Sequence, residues 1–441
     1  MSALREGLRQ IRKYPSALAG LLLVGLLFVV SILAPLTIPF SEAVRLWRGG
    51  EGVWEESPEN ARPVWFRHFQ DKKLPPTLLL DTRESGKTVA DQADGTRLVT
   101  AALRFEFPYD EPPSEVSLVL SAKYQEAQPF VTLKWKKPNG QVIEFEERTP
   151  GSLERYRISR DEKLRVRLQA ASIEEALFCE DRAVLAGTYE LSVEGICFEP
   201  GADLDARLIV YGKLHGWAGT DNQRRDLGIA LLWGTPIALL FGLLAAVGTT
   251  FFSLLIAAFG TWYGGRLDAV IQRITEVNAM LPRLVCLIMI GMFYSRSIWV
   301  MLAAIILLSV FGLGIKTYRS IFLSLKEAPY IEAARAYGAS NLRIIFLYLI
   351  PRIIPMLVPG FVVAIPEFVF LEATLAILGL GDPNCVTWGR VLNEAYTNDA
   401  LYKGQYYWVL EPAACLLVAG IGFALIGFAL DRIFNPRLRT A

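Results

Sequence analysis

Hydrophobic positions are spread unevenly along this chain. Residues 16–38 are nearly free of charge and long enough to cross a bilayer. Further apolar runs appear only in the second half, at about 229–259, 270–293, 298–315, 350–378 and 408–430. Each predicts a helix, because a segment in hydrocarbon must satisfy its own backbone polar groups. Together the runs predict an α-helical polytopic membrane protein with six transmembrane helices. Residues 42–215 have another rhythm. The segments 116–124, 130–147 and 187–198 alternate apolar and polar positions and are rich in β-branched and aromatic residues, which marks strands. Pro138-Asn139-Gly140 reads as a hairpin turn. Several such strands predict a folded, β-sandwich-like domain rather than a long loop. The expected organisation is 1–41 for the N-terminus and first span, 42–215 for the β-rich insert, and 216–441 for a helical core whose loop 319–350 lies between two spans.

Composition agrees with a chain of two characters. It is 53% hydrophobic but 20% charged, with mean hydropathy +0.34, too apolar for a soluble protein and too charged for a helical bundle alone. A net charge of +1 gives no basic face for nucleic acid. Two histidines, His68 and His215, and five cysteines without CxxC spacing argue against a metal site. Where the positive charges fall predicts orientation. Arg5, Arg9, Arg12 and Lys13 precede the first run, Arg319, Lys326, Arg335 and Arg343 lie in the 319–350 loop with Lys316 just before it, and Arg432, Arg437 and Arg439 follow the last run. By the positive-inside rule both termini and that loop are cytoplasmic and the insert is on the opposite side. The first run is read as an uncleaved anchor; a signal peptide would have a shorter apolar core. Outside the cytoplasm Cys179 and Cys197 are candidates for a disulfide, a pairing the sequence leaves open.

Residues 78–88, LLLDTRESGKT, look like a strand leading into a phosphate-binding loop. That loop needs glycine at its first position to wrap phosphates, and Asp81 stands there instead. A polar surface turn is the better reading. In the apolar runs, Arg273 and Glu276 are spaced to pair on one helix face. Glu367 and Glu372 lie deep in the fifth run, where a carboxylate should face water or a partner, so both are candidates for the transport pathway. Pro282, Pro355, Pro359 and Pro366 predict bends. Neither Glu367 nor Glu372 is accompanied by a histidine or nucleophile in a catalytic arrangement.

The segment 331–355, IEAARAYGASNLRIIFLYLIPRIIP, is the most specific. Ala333, Ala334 and Ala336 make a thin helix that can approach another backbone closely. Gly338 can take the left-handed conformation that ends a helix, Ser340 can cap the next, and Pro351 stands at the mouth of the following run. A helical elbow shaped for a groove on another protein and a plain solvated turn both fit this pattern taken alone.

Several motifs, in order, decide between them. Gly219-Thr220-Asp221 with Arg225-Asp226 precedes the second run, with Arg224 between them where glycine is usual; Tyr263-Gly264-Gly265, Asp268, Arg273, Glu276 and Pro282 open the third. Glu332-Ala333-Ala334, Gly338 and Pro351 follow, then Leu371-Glu372-Ala373, Leu378-Gly379-Leu380-Gly381, Trp388-Gly389 and Asn435-Pro436-Arg437-Leu438-Arg439. From about residue 215 to 439 the chain resembles the permease subunits of ABC importers of the dipeptide, oligopeptide and nickel type. The insert lies outside the resemblance and is far longer than the loop usual there.

The resemblance implies the type I importer permease fold, with no catalytic centre and no cofactor on this subunit. It implies that ATP and magnesium are handled by two ABC ATPase subunits, and that a second related permease and an extracytoplasmic solute-binding protein complete the importer in a bacterial or archaeal cytoplasmic membrane. Glu332, Ala333, Ala334, Gly338 and Pro351 would form the loop docking on an ATPase. Gly219, Thr220, Asp221, Asp226, Arg273, Glu276, Gly379, Gly381, Trp388 and Gly389 would be structural. Peptides are the default cargo. The alternative is a membrane-anchored scaffold whose β-rich domain itself recognises a solute or protein.

Overall fold

The structure, a computed structural model, describes residues 15–50, 52–92, 95–181 and 183–434. The charges at Arg5, Arg9, Arg12, Lys13, Arg437 and Arg439, and the segment 435–439, lie outside these. The chain divides into two compact units: Gly49–Gly228, and the described parts of Met1–Arg48 with Ile229–Ala441.

Helix α1, Pro15–Thr37, is followed by the short α2, Phe40–Arg48, which buries Ala43 and Trp47 and carries Glu42, Arg45 and Arg48 on its polar side. The insert is built from antiparallel strands. One sheet has the order β1 (Leu78–Asp81), β11 (Asp203–Tyr211), β4 (Glu115–Lys123), β7 (Leu153–Tyr156). The other runs β2 (Thr88–Asp91), β3 (Arg97–Phe107), β10 (Gly187–Cys197), β5 (Phe130–Lys136), β6 (Val142–Glu144). A two-stranded ribbon joins β8 (Cys179–Glu180) to β9 (Ala183–Val184). The alternation seen in the sequence is the alternation of burial. Leu103, Phe105 and Phe107 of β3, Leu133 and Trp135 of β5, and Tyr189 and Leu191 of β10 share one core with Leu118, Leu120, Leu204 and Leu208 of the other sheet. Helices α3 (Thr82–Ser85), α4 (Glu162–Leu168) and α5 (Ile173–Phe178) belong to the same unit. α5 closes the core with Phe178, which lies 4.7 Å from Phe107 and 4.9 Å from Tyr189 between ring centres. The hairpin turn is as expected: Gly140 has φ +87°, and the Lys137 amide donates to Gln141 at 2.9 Å.

Cys179 and Cys197 are both free thiols. The reason is geometric. Cys179 follows Phe178, whose carbonyl accepts the Tyr189 hydroxyl at 3.0 Å. Cys197 ends the same strand as Tyr189, eight residues on and so roughly 26 Å along it. A disulfide needs Cα atoms within about 7 Å.

In the second unit, α6 (Leu227–Tyr263), the helical stretch Asn341–Leu380 and α15 (Tyr406–Phe434) are, with α1, long and apolar enough to span a membrane. Two other apolar stretches are broken. α7 (Gly265–Met280) meets α8 (Arg283–Phe293) at 79° across Leu281-Pro282, and α9 (Ile298–Val310) meets α10 (Gly314–Lys326) at 47°. The described chain thus has four such helices, or up to six if each bent pair is one span. Within Asn341–Leu380 the order is α11's successor α12 (Asn341–Ile344), a π turn Ile345–Leu349, α13 (Ile350–Leu375) and a second π turn Ala376–Leu380; α11 itself is Pro329–Ala336. α14 (Trp388–Thr397) precedes α15. Helices in lipid associate through close backbone approach at small residues. A Cβ on Gly20 of α1 would stand 2.8 Å from the Gly422 carbonyl of α15.

The segment 78–88 forms no phosphate loop. Asp81 ends β1 and caps α3 by accepting from the Arg83 amide at 2.9 Å, and the Ala206 amide donates to Thr82 Oγ1 at 2.9 Å. Lys87 Nζ donates to Asp203 at 2.7 Å, to Asp205 at 2.6 Å and to the Leu204 carbonyl at 3.1 Å. Burial opposes these charges, but the hydrogen bonds win: Lys87 is held above its ordinary range and Asp205 below its own. The cluster's contribution is therefore complete near neutral pH. It is lost as acid protonates Asp205 through its lowered pKa, and as alkali deprotonates Lys87 through its raised one. Lys87→Met is expected to destabilise the insert by about 1–2 kcal/mol. The difference from wild type, followed by thermal unfolding, should be constant between about pH 6 and 9 and shrink on either side.

Candidate functional site

α11 begins at Pro329, whose missing amide costs nothing in the first turn, and ends where Tyr337 and Gly338 turn the chain. Gly338 has φ +79°, and its amide donates to Arg335 at 2.9 Å while that of Ala339 donates to Ala334 at 3.0 Å. A Cβ on Gly338 would meet nothing within 4 Å, so glycine is required for backbone conformation and not for space. Ser340 then caps α12 by accepting from the Arg343 amide at 3.4 Å. The elbow is anchored from beneath by Ile331, Ile344, Ile345, Leu349 and Ile353, all wholly buried against Ala258, Trp262, Ile315 and Phe322. Glu332, Ala333 and Ala336 face outward, but Ala334 is buried against the helices below. The thin outer face is therefore narrower than the sequence suggested. Beside it a cavity of about 370 Å³ is lined by Tyr330, Ala333, Ala334, Tyr337, Ala339, Arg343 and Tyr348. Pro351 lies in the first turn of α13, directly after the π turn.

Three contacts that sequence reasoning missed brace this elbow. Arg319 of α10 grips Asp268 of α7 with a bidentate pair at 2.6 and 2.8 Å. Lys326 Nζ donates to the carbonyls of Thr261 and Trp262, each at 3.0 Å, at the end of α6. Arg335 of α11 lies 4.5 Å from the centre of the Trp262 ring. In the sequence Arg319 and Lys326 stand out only as charges that set orientation. Their spacing of seven residues, two helical turns, was the available signal that they share a face. Arg273 and Glu276 pair as expected, at 3.0 Å on the exposed side of α7.

The remaining motif residues fall into two further constellations. Trp388 opens α14 and donates its indole N–H to the Leu231 carbonyl at 3.1 Å. Its ring lies against Gly234 of α6, where a Cβ would be 2.3 Å from it, and a Cβ on Gly389 would be 2.6 Å from the Ala373 Cα of α13. Glu372, beside Ala373, is buried, and Thr387 caps α14 by accepting from the Arg390 amide. Glu367, on the same helix, is exposed on the surface of the unit. Gly379 has φ +82° in the second π turn, and a Cβ on Gly381 would touch the Ala376 methyl at 3.2 Å. These motif pieces, distant in sequence, meet because small residues let α6, α13 and α14 close on one another.

The segment before α6 belongs to the insert's compact unit. Thr220 Oγ1 donates to the Pro58 carbonyl at 2.7 Å and accepts from the Ala61 amide at 2.9 Å, and Gly219 takes φ +76°. Asp221 is fully buried with Arg225 at 2.6 Å. Asp226 caps α6 by accepting from the Gly228 amide at 2.8 Å. Arg224 has φ +66°, which explains why glycine is usual there. Its guanidinium compensates by donating to the Ser57 carbonyl at 2.9 Å, pairing with Glu115 and lying 4.4 Å from the Tyr211 ring centre. These bonds keep residues 216–228 with the insert, beyond the 215 boundary expected from composition.

Comparison with known proteins concerns the helical part of the chain. Residues 238–440 match the family described as binding-protein-dependent transport system inner membrane component. Over 222 residues, 50% of this chain and 73% of the relative, the chain is 31% identical to a putative peptide permease protein of Brucella suis. It is 30% identical over 229 residues to the dipeptide transport system permease protein DppC of Alkalihalophilus pseudofirmus, covering 51% of this chain and 73% of that one. With the oligopeptide transport system permease protein OppC of Bacillus subtilis the identity is 25% over 224 residues, 51% of this chain and 72% of that protein. The insert is outside the residues matched by the family. The chain is a multi-pass membrane protein that belongs to the binding-protein-dependent transport system inner membrane components, the permease subunits of ABC importers.

Proposed function

We propose that this subunit forms half of a peptide-translocating pathway and receives its drive through the elbow at 329–344. The observation that carries the reading is the elbow itself. A left-handed Gly338 fixes its angle, Glu332 and Ala333 are presented outward, and a buried row of isoleucines roots it in the bundle. Such a lever transmits a push only if its base is stiff, and the Arg319–Asp268 pair and the Lys326 contacts stiffen it. Peptide cargo is supported by the relatives, which are named as peptide, dipeptide and oligopeptide permeases.

In this reading α1, α6, the α7–α8 pair, the α9–α10 pair, 341–380 and α15 are six spans of a cytoplasmic membrane, with both termini and the elbow in the cytoplasm and the insert outside. A second related permease supplies the other half of the pathway, two ATPase subunits dock on the elbows, and a solute-binding protein delivers cargo from outside. ATP and magnesium act on the ATPases, and this subunit binds no cofactor. Glu367, exposed on an apolar helix, faces the pathway or the second permease, since lipid would not tolerate it. Glu372 serves packing between α13 and α14.

Replacing Glu332 and Gly338 together by arginine should cut both peptide uptake and co-purification of the ATPases at least about tenfold while leaving the membrane level of the protein unchanged; normal uptake and normal co-purification would sink the coupling role. Orientation has its own test. In a cysteine-free chain, Val142→Cys should react with a membrane-impermeant maleimide in intact cells, and Tyr337→Cys only after permeabilisation.

A further inference from the structure

Within the insert, the outer face of the sheet β1-β11-β4-β7 carries a charged groove. Two rows of side chains cross it. In one, Arg155, Val119, Arg207 and Asp81 stand side by side on β7, β4, β11 and β1. In the next, Leu153, Ser121 and Asp205 do so on β7, β4 and β11. The segment 53–58 is fastened to this face as a strap. Glu55 pairs with Arg155 and its carbonyl accepts the Tyr211 hydroxyl, while Glu56 accepts from Arg207 at 2.7 Å. The Ser57 carbonyl accepts from Arg224 at 2.9 Å and that of Pro58 from Thr220 at 2.7 Å. A strap pinned at so many points is rigid, and beside its two glutamates it leaves a cavity of about 270 Å³ over the sheet.

Ion pairing alone does not use up the groups around this cavity. Arg83, in the first turn of α3, bonds Asp205 through Nε at 3.1 Å, but its two terminal nitrogens make no hydrogen bond among the described residues and its side chain is 58% exposed. That unused pair of N–H groups matches a carboxylate in shape and charge. Arg207 spends Nε on Asp81 and Nη1 on Glu56 and has Nη2 left over. The Ser121 hydroxyl, on the floor, has no partner among the described residues. Glu56 is half exposed and holds one partner, Arg207. The lining is also apolar: Val119 and Ile209 lie on the floor, and Leu153, on an edge strand, is 70% exposed at the rim. A surface that only held ion pairs would have no use for that leucine. The acids are not grouped as metal ligands among the described residues. A free cationic fork, a half-free carboxylate and an apolar wall together fit a small zwitterion with an apolar side chain.

We propose that this groove binds a short peptide with free termini, its C-terminal carboxylate on the terminal nitrogens of Arg83, its ammonium on Glu56, and an apolar side chain against Val119 and Leu153. Size agrees with this ligand. From β7 to β1 the sheet spans three strand spacings, about 14 Å, and an extended peptide covers about 3.4 Å per residue, so two to four residues fit. The rigid strap supports affinity, because little ordering remains to be done on binding. The choice of peptide among zwitterions rests on the reading of this subunit as a peptide permease; the groove would then make the insert a receptor for the cargo itself.

The test is calorimetric titration of the purified full chain in nanodiscs, with the tripeptide Ala-Leu-Leu as probe. Wild type should bind it with Kd below about 1 mM. Amidating the probe's C-terminus should weaken binding at least about tenfold, and acetylating its N-terminus at least about threefold. Those comparisons need no substitution in the protein. Arg83→Gln should then bind the free acid and the amide alike, and Leu153→Ser should weaken Ala-Leu-Leu more than Ala-Ala-Ala. Arg104→Gln is the control, since Arg104 is equally exposed in an ion pair with Glu190 but lies on β3 of the other sheet; it should change nothing. Absence of binding to wild type, equal binding of acid and amide, or a preference for the acid that survives Arg83→Gln would each overturn the proposal. Octanoate competing as well as the tripeptide would overturn the assignment to peptide. Normal peptide uptake in cells without binding at this groove would sink the groove alone, whereas binding as described in a chain that takes up no peptide would support the groove and count against the pathway reading.

Discussion

No atom can be added to the α-carbon of Gly389 without moving the backbone of Ala373, and none to Gly234 without displacing Trp388. The helical unit depends on this contact. A membrane helix gains little from hiding leucine, since the lipid around it is equally apolar, and association must come from close packing and interhelical hydrogen bonds. Here both are supplied at one place. The Trp388 indole bonds a carbonyl of α6, Thr387 caps α14, and Gly389 packs against α13 next to the buried Glu372. The buried carboxylate is tolerated because it is part of this joint. The elbow sits at the other end of the same helical stretch, beyond the π turn at Ile345–Leu349, so what moves the elbow is carried by a helix already fixed to its neighbours.

The legible parts of this architecture were those governed by a single solvent. Apolar runs and two-residue alternation report which side of a helix or strand meets lipid, water or core, and α1, α6, α15 and strands β4, β5 and β10 lie close to the expected ranges. Breaks within the apolar runs were less legible. Pro282 was expected to bend its helix, but hydropathy averaged over residues 270–293 does not reveal a 79° turn. Strand β3, eleven residues long, passed without notice although its burial alternates like that of β10.

Among site residues, Gly338 was readable because only backbone conformation demands it. The Arg319–Asp268 pair was not, since it joins residues fifty-one apart whose partnership depends on how two bent helix pairs fold back. Ala334 points inward because α11 has a buried face as well as a presented one, and alanine fits either. The lysine of the apparent phosphate loop was explained only by Asp203 and Asp205, more than a hundred residues away, which occupy it completely.

Arg224 bears on how freely such a domain can be exchanged. The backbone there is left-handed, a conformation that costs an L-residue about 1–2 kcal/mol, and the groups that hold its guanidinium, Ser57, Glu115 and Tyr211, are all contributed by the insert. The insert is therefore not a detachable module. A chimera carrying a short loop in its place would keep the strained arginine and lose every group that holds it, and would need glycine restored at that position before the second span could start cleanly. Conversely, an insert of this kind grafted onto a glycine-bearing relative would fold without its latch. Residue 224 and the domain before it are a matched pair, and a swap must carry both.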